Sequence, residues 1–321
     1  MEQNALYTDT NGQEWRCEES GIYSVLDYGY LEMIRSWGSD EEIIETARMS
    51  TDKGFLGWDP GPCPTCSSRG VLPPEAPGIA GPAIQRDPPA ASRGSFAPCP
   101  DCGGKGTIPG DAKLLAYLYE HKHSTPFEFA GLTIEVQAPI MVFREWHRHR
   151  TQSYSEMSAR YVQMPNIHYV PSIQRILDSS KKSGNRQVSG AGVLVHDGLS
   201  GFTQEELAEV IQRDIRAEQQ KVYDQYERLL KMGVSKEIAR IDTPVSRYSR
   251  MRATGNLRNW LAFLTLRMDP AAQFEIRQFA WCVGDVIEQE FPRTWALHLA
   301  SMHPKAAVQS KRPRVFPVTS T

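Results

Sequence analysis

The sequence predicts a mixed α/β (α+β) fold, a central sheet flanked by helices, with most of the helix in the C-terminal half. Three observations carry this. Residues 132–138 (LTIEVQA) alternate Leu132, Ile134, Val136 and Ala138 against Thr133, Glu135 and Gln137, the period-two pattern of a half-buried strand. From residue 203 onward, apolar residues recur instead at three- and four-residue spacing, the helical period. Residues 55–110 have neither period and are rich in Pro, Gly and Ala, so they read as an insertion with a long irregular connection.

In chain order, residues 22–38 have the composition of a strand and a turn. SDEEIIETARMS then opens a helix, with Ser39 or Asp40 as N-cap and acids in the first turn, where the helix dipole favours them. Order resumes after the insertion at DAKLLAYLYEHKH, a helix with Leu114, Leu115, Leu118 and Tyr119 at helical spacing. The 132–138 strand runs into Pro139, which suits the first turn of a helix over PIMVFREWHRHR. That helix would carry Arg144 and Arg148 on one face and Glu145 and His149 on the next. Residues 178–201 are polar and Gly-rich, the composition of a mobile loop. Thr203 and Glu206 form a capping-box pattern before a long helix bearing Leu207, Ile211, Ile215, Val222, Tyr226 and Leu230, which Gly233 ends. Helices are also expected over 256–268 and 270–290, with Asp269-Pro270 stopping one and starting the other.

The 321 residues are read as one domain, 1–321, carrying the inserted segment 55–110. Apolar residues make up 40%, enough for a substantial core. A net charge of -2 excludes the global basic field that binds nucleic acid nonspecifically. No window approaches a membrane-spanning apolar run, and MEQNALYTDTNGQEW lacks the charged-then-apolar order of a leader. A cytoplasmic protein is expected, with no membrane and no nucleic-acid partner.

Four of the six cysteines form two C-x2-C pairs, Cys63/Cys66 and Cys99/Cys102, while Cys17 and Cys282 stand alone. The surroundings repeat as well, CPTCSSRGVL and CPDCGGKGTI. Each is a tight turn able to present two thiolates to one tetrahedral ion, which in a cytosolic chain points to a zinc-ribbon-like segment. With four protein ligands no coordination position stays open, so such a zinc is structural. Reduced thiol turns or local disulfides are the alternative.

Residues 144–161, REWHRHRTQSYSEMSARY, gather four arginines and two histidines in a near-neutral chain, with no cysteine. Guanidinium groups bind phosphates bidentately, so Arg148, Arg150 and Arg160 are candidate clamps, with Ser155, Glu156 and Ser158 placed to bond sugar and base. The bland alternative is a solvated basic helix end. The order of the residues weighs against it. Arg148-His149-Arg150, seven residues and Ser158 spell R-H-R-x7-S, which resembles the signature of flavin-dependent thymidylate synthases. HKHSTPFEF is similar to that family's H-x-H-x-T-P-F-E segment, DYGYLEMIRSWGSD and TARMS to its N-terminal strand and helix. KEIARIDTPVSRYSR and NLRNWLAFLTLRMDPAAQFEIRQFA resemble its C-terminal block. The resemblance covers most of 22–54 and 111–290 and leaves the cysteine-bearing insert outside.

The resemblance implies a homotetramer with flavin and nucleotide bound where subunits meet. It implies C5 methylation of a uridylate with FAD, NADPH as reductant and 5,10-methylenetetrahydrofolate as carbon donor, and no cysteine nucleophile. By it, Arg148, His149 and Arg150 contact flavin, together with Ser50, Thr125, Glu128, Asn256 and Arg258. The nucleotide falls to Glu145, Arg148, Glu156, Ser158, Ala159, Arg160 and Arg240, with Ser158 near the reacting base. Arg267 faces the pyrimidine oxygens and stabilises charge as C5 becomes nucleophilic. His123 takes a direct site role, a buried structural histidine being the alternative.

Several positions depart from the family pattern. Glu145 stands where many members have glutamine, Ser155 replaces a frequent asparagine, and Phe129 stands where histidine is common. Ala262 replaces an often polar residue and Ala271 a flavin-contacting histidine. Both dUMP and UMP are open as substrate, the latter as in relatives devoted to nucleoside-antibiotic biosynthesis. A catalytically lapsed homologue acting as a zinc-knuckle nucleic-acid- or protein-binding module is the other function carried forward.

Overall fold

The computed structural model describes residues 6–8, 14–16, 22–72, 97–184, 189–195 and 201–302. Cys17, residues 73–96 of the insert and parts of the expected 178–201 loop lie outside the described residues. The chain divides into two compact units, residues 1–37 with 130–321, and residues 38–129. The first opens with β1 (Leu6–Thr8) and β2 (Glu14–Arg16), a separate two-stranded ribbon, then β3 (Ile22–Val25) and β4 (Gly29–Trp37). The second holds α1 (Asp40–Arg48), β5 (Gly61–Pro62), β6 (Val71–Leu72), β7 (Ala97–Pro98), β8 (Thr107–Ile108) and α2 (Ala112–Glu120). Back in the first unit come β9 (Gly131–Pro139), α3 (Ile140–Trp146), β10 (Ser153–Glu156), α4 (Ile173–Ser180), α5 (Gln204–Lys231) and α6 (Lys236–Ala239). The chain continues through β11 (Tyr248–Asn256), α7 (Leu257–Arg267), α8 (Phe274–Glu290) and α9 (Pro292–Ser301). No helix among the described residues is long and apolar enough to cross a membrane.

The architecture is mixed α/β, as expected. Its centre is a five-stranded antiparallel sheet in the order β10-β11-β9-β4-β3. On β9 the alternation read from the sequence is realised: Leu132, Ile134, Val136 and Ala138 are completely buried, and Thr133, Glu135 and Gln137 face the other side. Helices α7 and α8 pack on the apolar face. Trp146 of α3 stacks on Phe263 with ring centroids 4.7 Å apart and meets Trp260 and Phe279 edge-on, each at 6.4 Å. Such pairs add about 0.5–1.5 kcal/mol each beyond the area they bury. The Trp260 indole N–H also donates to the Leu132 carbonyl at 3.1 Å, tying α7 to the central strand. The opposite face is polar, with Glu135 accepting from the Tyr30 hydroxyl at 2.8 Å and from Arg252 at 3.0 Å.

Two helix expectations need correction. The helix expected over PIMVFREWHRHR ends at Trp146, and Pro139 belongs to the end of β9 rather than to a helical turn. The chain must reverse there to reach β10. The reversal is fastened by the Tyr154 hydroxyl on the His149 carbonyl at 2.6 Å and by the Trp146 indole on Gln152 at 3.0 Å. Arg148, His149 and Arg150 therefore lie in a turn, not on a helix face. Likewise α8 starts at Phe274 and not at Pro270. Asp269 holds the intervening turn by accepting from the Ala271 N–H at 2.7 Å through its carboxylate, with its carbonyl taking the Ala272 N–H at 2.9 Å. The first residues of the 178–201 segment belong to α4.

Other local readings stand. The Ser39 hydroxyl caps α1 by accepting from the Glu42 N–H at 3.2 Å. Thr203 and Glu206 form a complete capping box at α5, and Gly233 takes a positive φ of 85° just past its end. In the second unit, buried Asp111 accepts from the Arg48 guanidinium and from the Leu56 N–H at 2.8 Å, so its charge is both paired and hydrogen-bonded.

Candidate functional site

The first cluster is organised by Arg267, the last residue of α7. Its Nη1 donates to the Glu145 carboxylate at 2.7 Å, its Nη2 to the Glu145 carbonyl at 2.9 Å, and its Nε to His149 Nε2 at 2.9 Å. Glu145 sits in the last turn of α3 and His149 in the turn after it, so the reversal of the chain brings the pair together. His149 can accept from a guanidinium only with Nε2 unprotonated. Burial first, and the Arg267 charge second, push its pKa down to about 4, against a weaker opposing pull from Glu145. The ring also lies edge-on to Phe263, centroids 4.9 Å apart. The result is a mostly buried guanidinium oriented through all three of its nitrogens by protein acceptors, one anionic and two neutral.

The rest of the signature follows along the edge strand β10. Glu156 accepts from the Ser249 hydroxyl of β11 at 2.9 Å, which fixes one carboxylate oxygen. The Ser158 hydroxyl accepts from the Arg160 N–H at 3.3 Å. The Ala159 side chain is buried with Met164, Tyr226 and Ala239, leaving its backbone for any contact with a ligand. Arg160 pairs loosely with Glu237 of α6 at 3.3 Å, both about half exposed, and Arg240 caps α6 next to it. Arg148 and Arg150 are exposed, and neither has an ion-pair partner among the described residues. The Asn256 side chain caps α7, accepting from the Asn259 N–H at 3.0 Å, and Arg258 is exposed in the first turn. Ala262 and Ala271 are both exposed.

His123, Ser50, Thr125 and Glu128 belong to the second unit. His123 is exposed rather than buried, its ring 5.5 Å from Tyr117. Helix α1 packs against the Thr125–Glu128 turn, and Ser50 follows α1 directly.

The second cluster is the cysteines. Cys63, Cys66, Cys99 and Cys102 are buried, with their sulfurs all within 4.8 Å of one another. Cys63 and Cys99 are 3.8 Å apart and Cys66 and Cys102 are 3.7 Å apart, and all four cysteines are free thiols, so the structure has neither a bond between the knuckles nor a disulfide within one. The repeat seen in the sequence becomes a near-symmetric pair of knuckles. The Cys63 N–H donates to the Gly106 carbonyl and the Cys99 N–H to the Gly70 carbonyl, each at 2.8 Å. The Gly70 N–H points at Cys66 Sγ (3.3 Å) and the Gly106 N–H at Cys102 Sγ (3.2 Å). Four sulfurs in tetrahedral reach, two already receiving N–H groups, is the donor set that suits a closed zinc site.

Sequence reading passed over Arg247 and His168. They meet through a backbone bridge beside Glu156 and Arg240. The only local signal was a charged residue at the start of a strand whose other arginines, Arg250 and Arg252, point outward.

Sheet, aromatic core and latched arginine define a mixed α/β protein with a cationic cluster beside its edge strand. Comparison with known proteins then gives the family. A family model described as thymidylate synthase complementing protein matches residues 32–293. A flavin-dependent thymidylate synthase of Thermus thermophilus is 35% identical over 186 residues, 58% of this chain and 63% of that relative, under two thirds of its length. One from Thermosipho melanesiensis is 36% identical over 279 residues, 85% of this chain and 91% of that one. The solved UMP/dUMP methylase PolB from Streptomyces cacaoi, bound with 5-Br dUMP, matches with a TM-score of 0.59 at 26% identity, covering 86% of this chain and 97% of that one. The chain belongs to the flavin-dependent thymidylate synthase family.

Proposed function

We propose that the protein methylates C5 of a uridylate, with 5,10-methylenetetrahydrofolate as carbon donor, NADPH as reductant and FAD as resident cofactor. The observation that carries this is Arg267, held by Glu145 and a neutral His149 at the root of the R-H-R-x7-S segment. A fixed guanidinium is the group needed where the pyrimidine oxygens gain charge as C5 becomes a nucleophile. Because its orientation is set in advance, little reorganisation remains for the reacting state. Glu145 lowers the net charge around Arg267, so a neutral uracil edge fits there better than a phosphate.

FAD, once reduced by NADPH, would supply the hydride that completes the methyl group. Arg148 and Arg150, exposed and without ion-pair partners among the described residues, suit its diphosphate, and by family resemblance His149, Asn256, Arg258, Ser50, Thr125, Glu128 and His123 lie on the flavin side. Ser158, Glu156, Arg160, Arg240 and the Ala159 backbone would hold the nucleotide, with Ser158 nearest the base. Exposed Tyr161, Val162, Ile238 and Ile241 flank Arg160 and Arg240, and an apolar rim of this kind supports a homotetramer whose sites are completed at subunit contacts. The four cysteines would hold one structural zinc.

The test is a competition assay on purified protein with FAD, NADPH, methylenetetrahydrofolate and equal dUMP and UMP, read by product mass. A product heavier by one CH2 unit, the net change when methyl replaces the C5 hydrogen, is expected. Arg267→Ala should lower turnover by about 10²–10³-fold or more, the usual effect of losing a preorganised charge stabiliser, with the fold retained by melting. No methylated product from wild type with all cofactors intact would overturn the reading. The identity of the product decides between thymidylate formation and ribonucleotide modification for antibiotic biosynthesis.

A further inference from the structure

Arg247 is rigidly placed where α6 and its following turn lead into β11. Its N–H donates to the Pro244 carbonyl at 3.1 Å, its carbonyl accepts from the Ile140 N–H at 3.0 Å, and it forms a backbone bridge with His168. The side chain is partly buried. Its Nη1 is fully buried with no hydrogen-bond partner in the protein, and both ring nitrogens of His168 are in the same condition. Orphaned buried polar atoms are uncommon, and three of them on two bridged neighbours point to a partner from outside the chain.

The groups around Arg247 say what kind of partner. Glu156 attracts its charge, Arg240 repels it, and Tyr226 lies close by. Glu156 already receives the Ser249 hydroxyl, and Arg240 stands at the end of α6. His168 adds no charge: burial, then the Arg247 cation, hold it in the neutral form. Two guanidiniums against one anchored carboxylate leave a local excess of positive charge with unused donors. A pyrimidine edge has two neutral carbonyl oxygens and cannot offset that charge. A phosphomonoester has three oxygens and about two negative charges, and it matches two guanidinium forks.

We infer that Arg247, together with Arg240, clamps the phosphate of the bound nucleotide, with His168 donating one ring N–H to the same group. This rests on the uridylate reading and deepens it. It divides the site into a phosphate end, at the α6–β11 junction, and a base end at Arg267. Glu156 on this division takes sugar hydroxyls rather than phosphate.

The test measures equilibrium binding of UMP, dUMP and uridine to the FAD-loaded protein, comparing wild type, Arg247→Met and Arg247→Lys. Loss of charge-assisted hydrogen bonds should weaken both nucleotides by about 10- to 100-fold in Arg247→Met, with uridine affinity unchanged and Lys recovering part of the loss. Unchanged nucleotide affinity, or equal weakening of nucleotide and nucleoside, would overturn the clamp. If Arg247→Met fails to fold, Arg247→Lys decides, because wild-type nucleotide affinity with the bidentate fork gone contradicts the proposal. Binding is read without turnover. A wild type that binds UMP through Arg247 yet forms no product ends the methylation reading and leaves the clamp, and the converse result does the reverse.

Discussion

The cysteine knuckles and the arginine latch are both clusters of converging polar side chains, yet they are assembled in opposite ways. Each knuckle is made within a few residues, and two copies of one local turn are then joined by reciprocal N–H to carbonyl bonds. The latch takes Glu145 and His149 from positions 122 and 118 residues away from Arg267, and only packing of α3 against the sheet and α7 makes them neighbours. Their charge balance differs too. The latch contains its own counter-ion, so it is satisfied as it stands. The knuckles contain four like groups whose ionised forms repel one another: burial pushes the Cys66 thiol up to about 11, whereas Cys102 is brought down to about 7 because the Gly106 N–H and neighbouring thiols overcome the effect of its burial. A cation resolves that conflict. One cluster is balanced within itself, whereas the other has the donor set of a cation socket.

The largest effect should come from breaking the socket. Cys99→Ser with Cys102→Ser removes half the ligand set, and zinc should fall from one per chain to none by metal analysis. The binding free energy forfeited is on the order of 10 kcal/mol for structural zinc, so chelator sensitivity should vanish with it. Unchanged zinc content would end the assignment.

A smaller effect separates the knuckle backbone from its ligands. Gly106 has φ 73°, and a Cβ there would lie 2.3 Å from the Ser68 carbonyl oxygen, whereas Gly103 has φ 56° and open space around it. Gly103→Ala should cost only the left-handed backbone penalty of about 1–2 kcal/mol. Gly106→Ala should cost more, because rigid backbone must also move, and should loosen metal binding. Equal melting shifts for the two would mean that the cross-bonded geometry is not what shapes the socket.

A third effect, confined to a pH window, sharpens the latch. His149 should titrate near pH 4, against about 6.5 in the unfolded chain. Between those values the unfolded state binds more protons, so stability rises with pH across the window and is lost as pH falls through it. Melting curves from pH 7 to pH 4 should contain this component in wild type and lack it in His149→Phe. A His149 midpoint near 6.5 by NMR would show that the ring is not the acceptor for Arg267.

What could be read from the chain follows the same division. Features whose cause lies within about four residues were legible: the Ser39 cap, the Thr203–Glu206 capping box, the alternation of β9 and the paired C-x2-C turns. Strand β11 was missed although it also alternates, burying Ser249, Met251 and Ala253 at 1% exposure each against exposed Arg250 and Arg252. Two of its three inward side chains, Ser249 and Ala253, are too polar or too small to register as an apolar period, which leaves Met251 alone. The end of α3 was missed because the residues after Trp146 are compatible with helix. What stops them is the pull of β10 into the sheet, through Tyr154 and Gln152.

By itself the sequence determined which side chains are present at the site, in the R-H-R-x7-S order, and that four thiols would come in two matched turns. Only the tertiary structure decided that Arg148, His149 and Arg150 occupy a turn, that Arg267 is gripped by Glu145 and a neutral His149, and that Arg247 faces Arg240 with donors to spare. The physical reason is the range of the interactions. Turns, caps and thiol pairs close over a few bonds of chain, while the charge and burial around an arginine depend on whatever the rest of the fold brings to it.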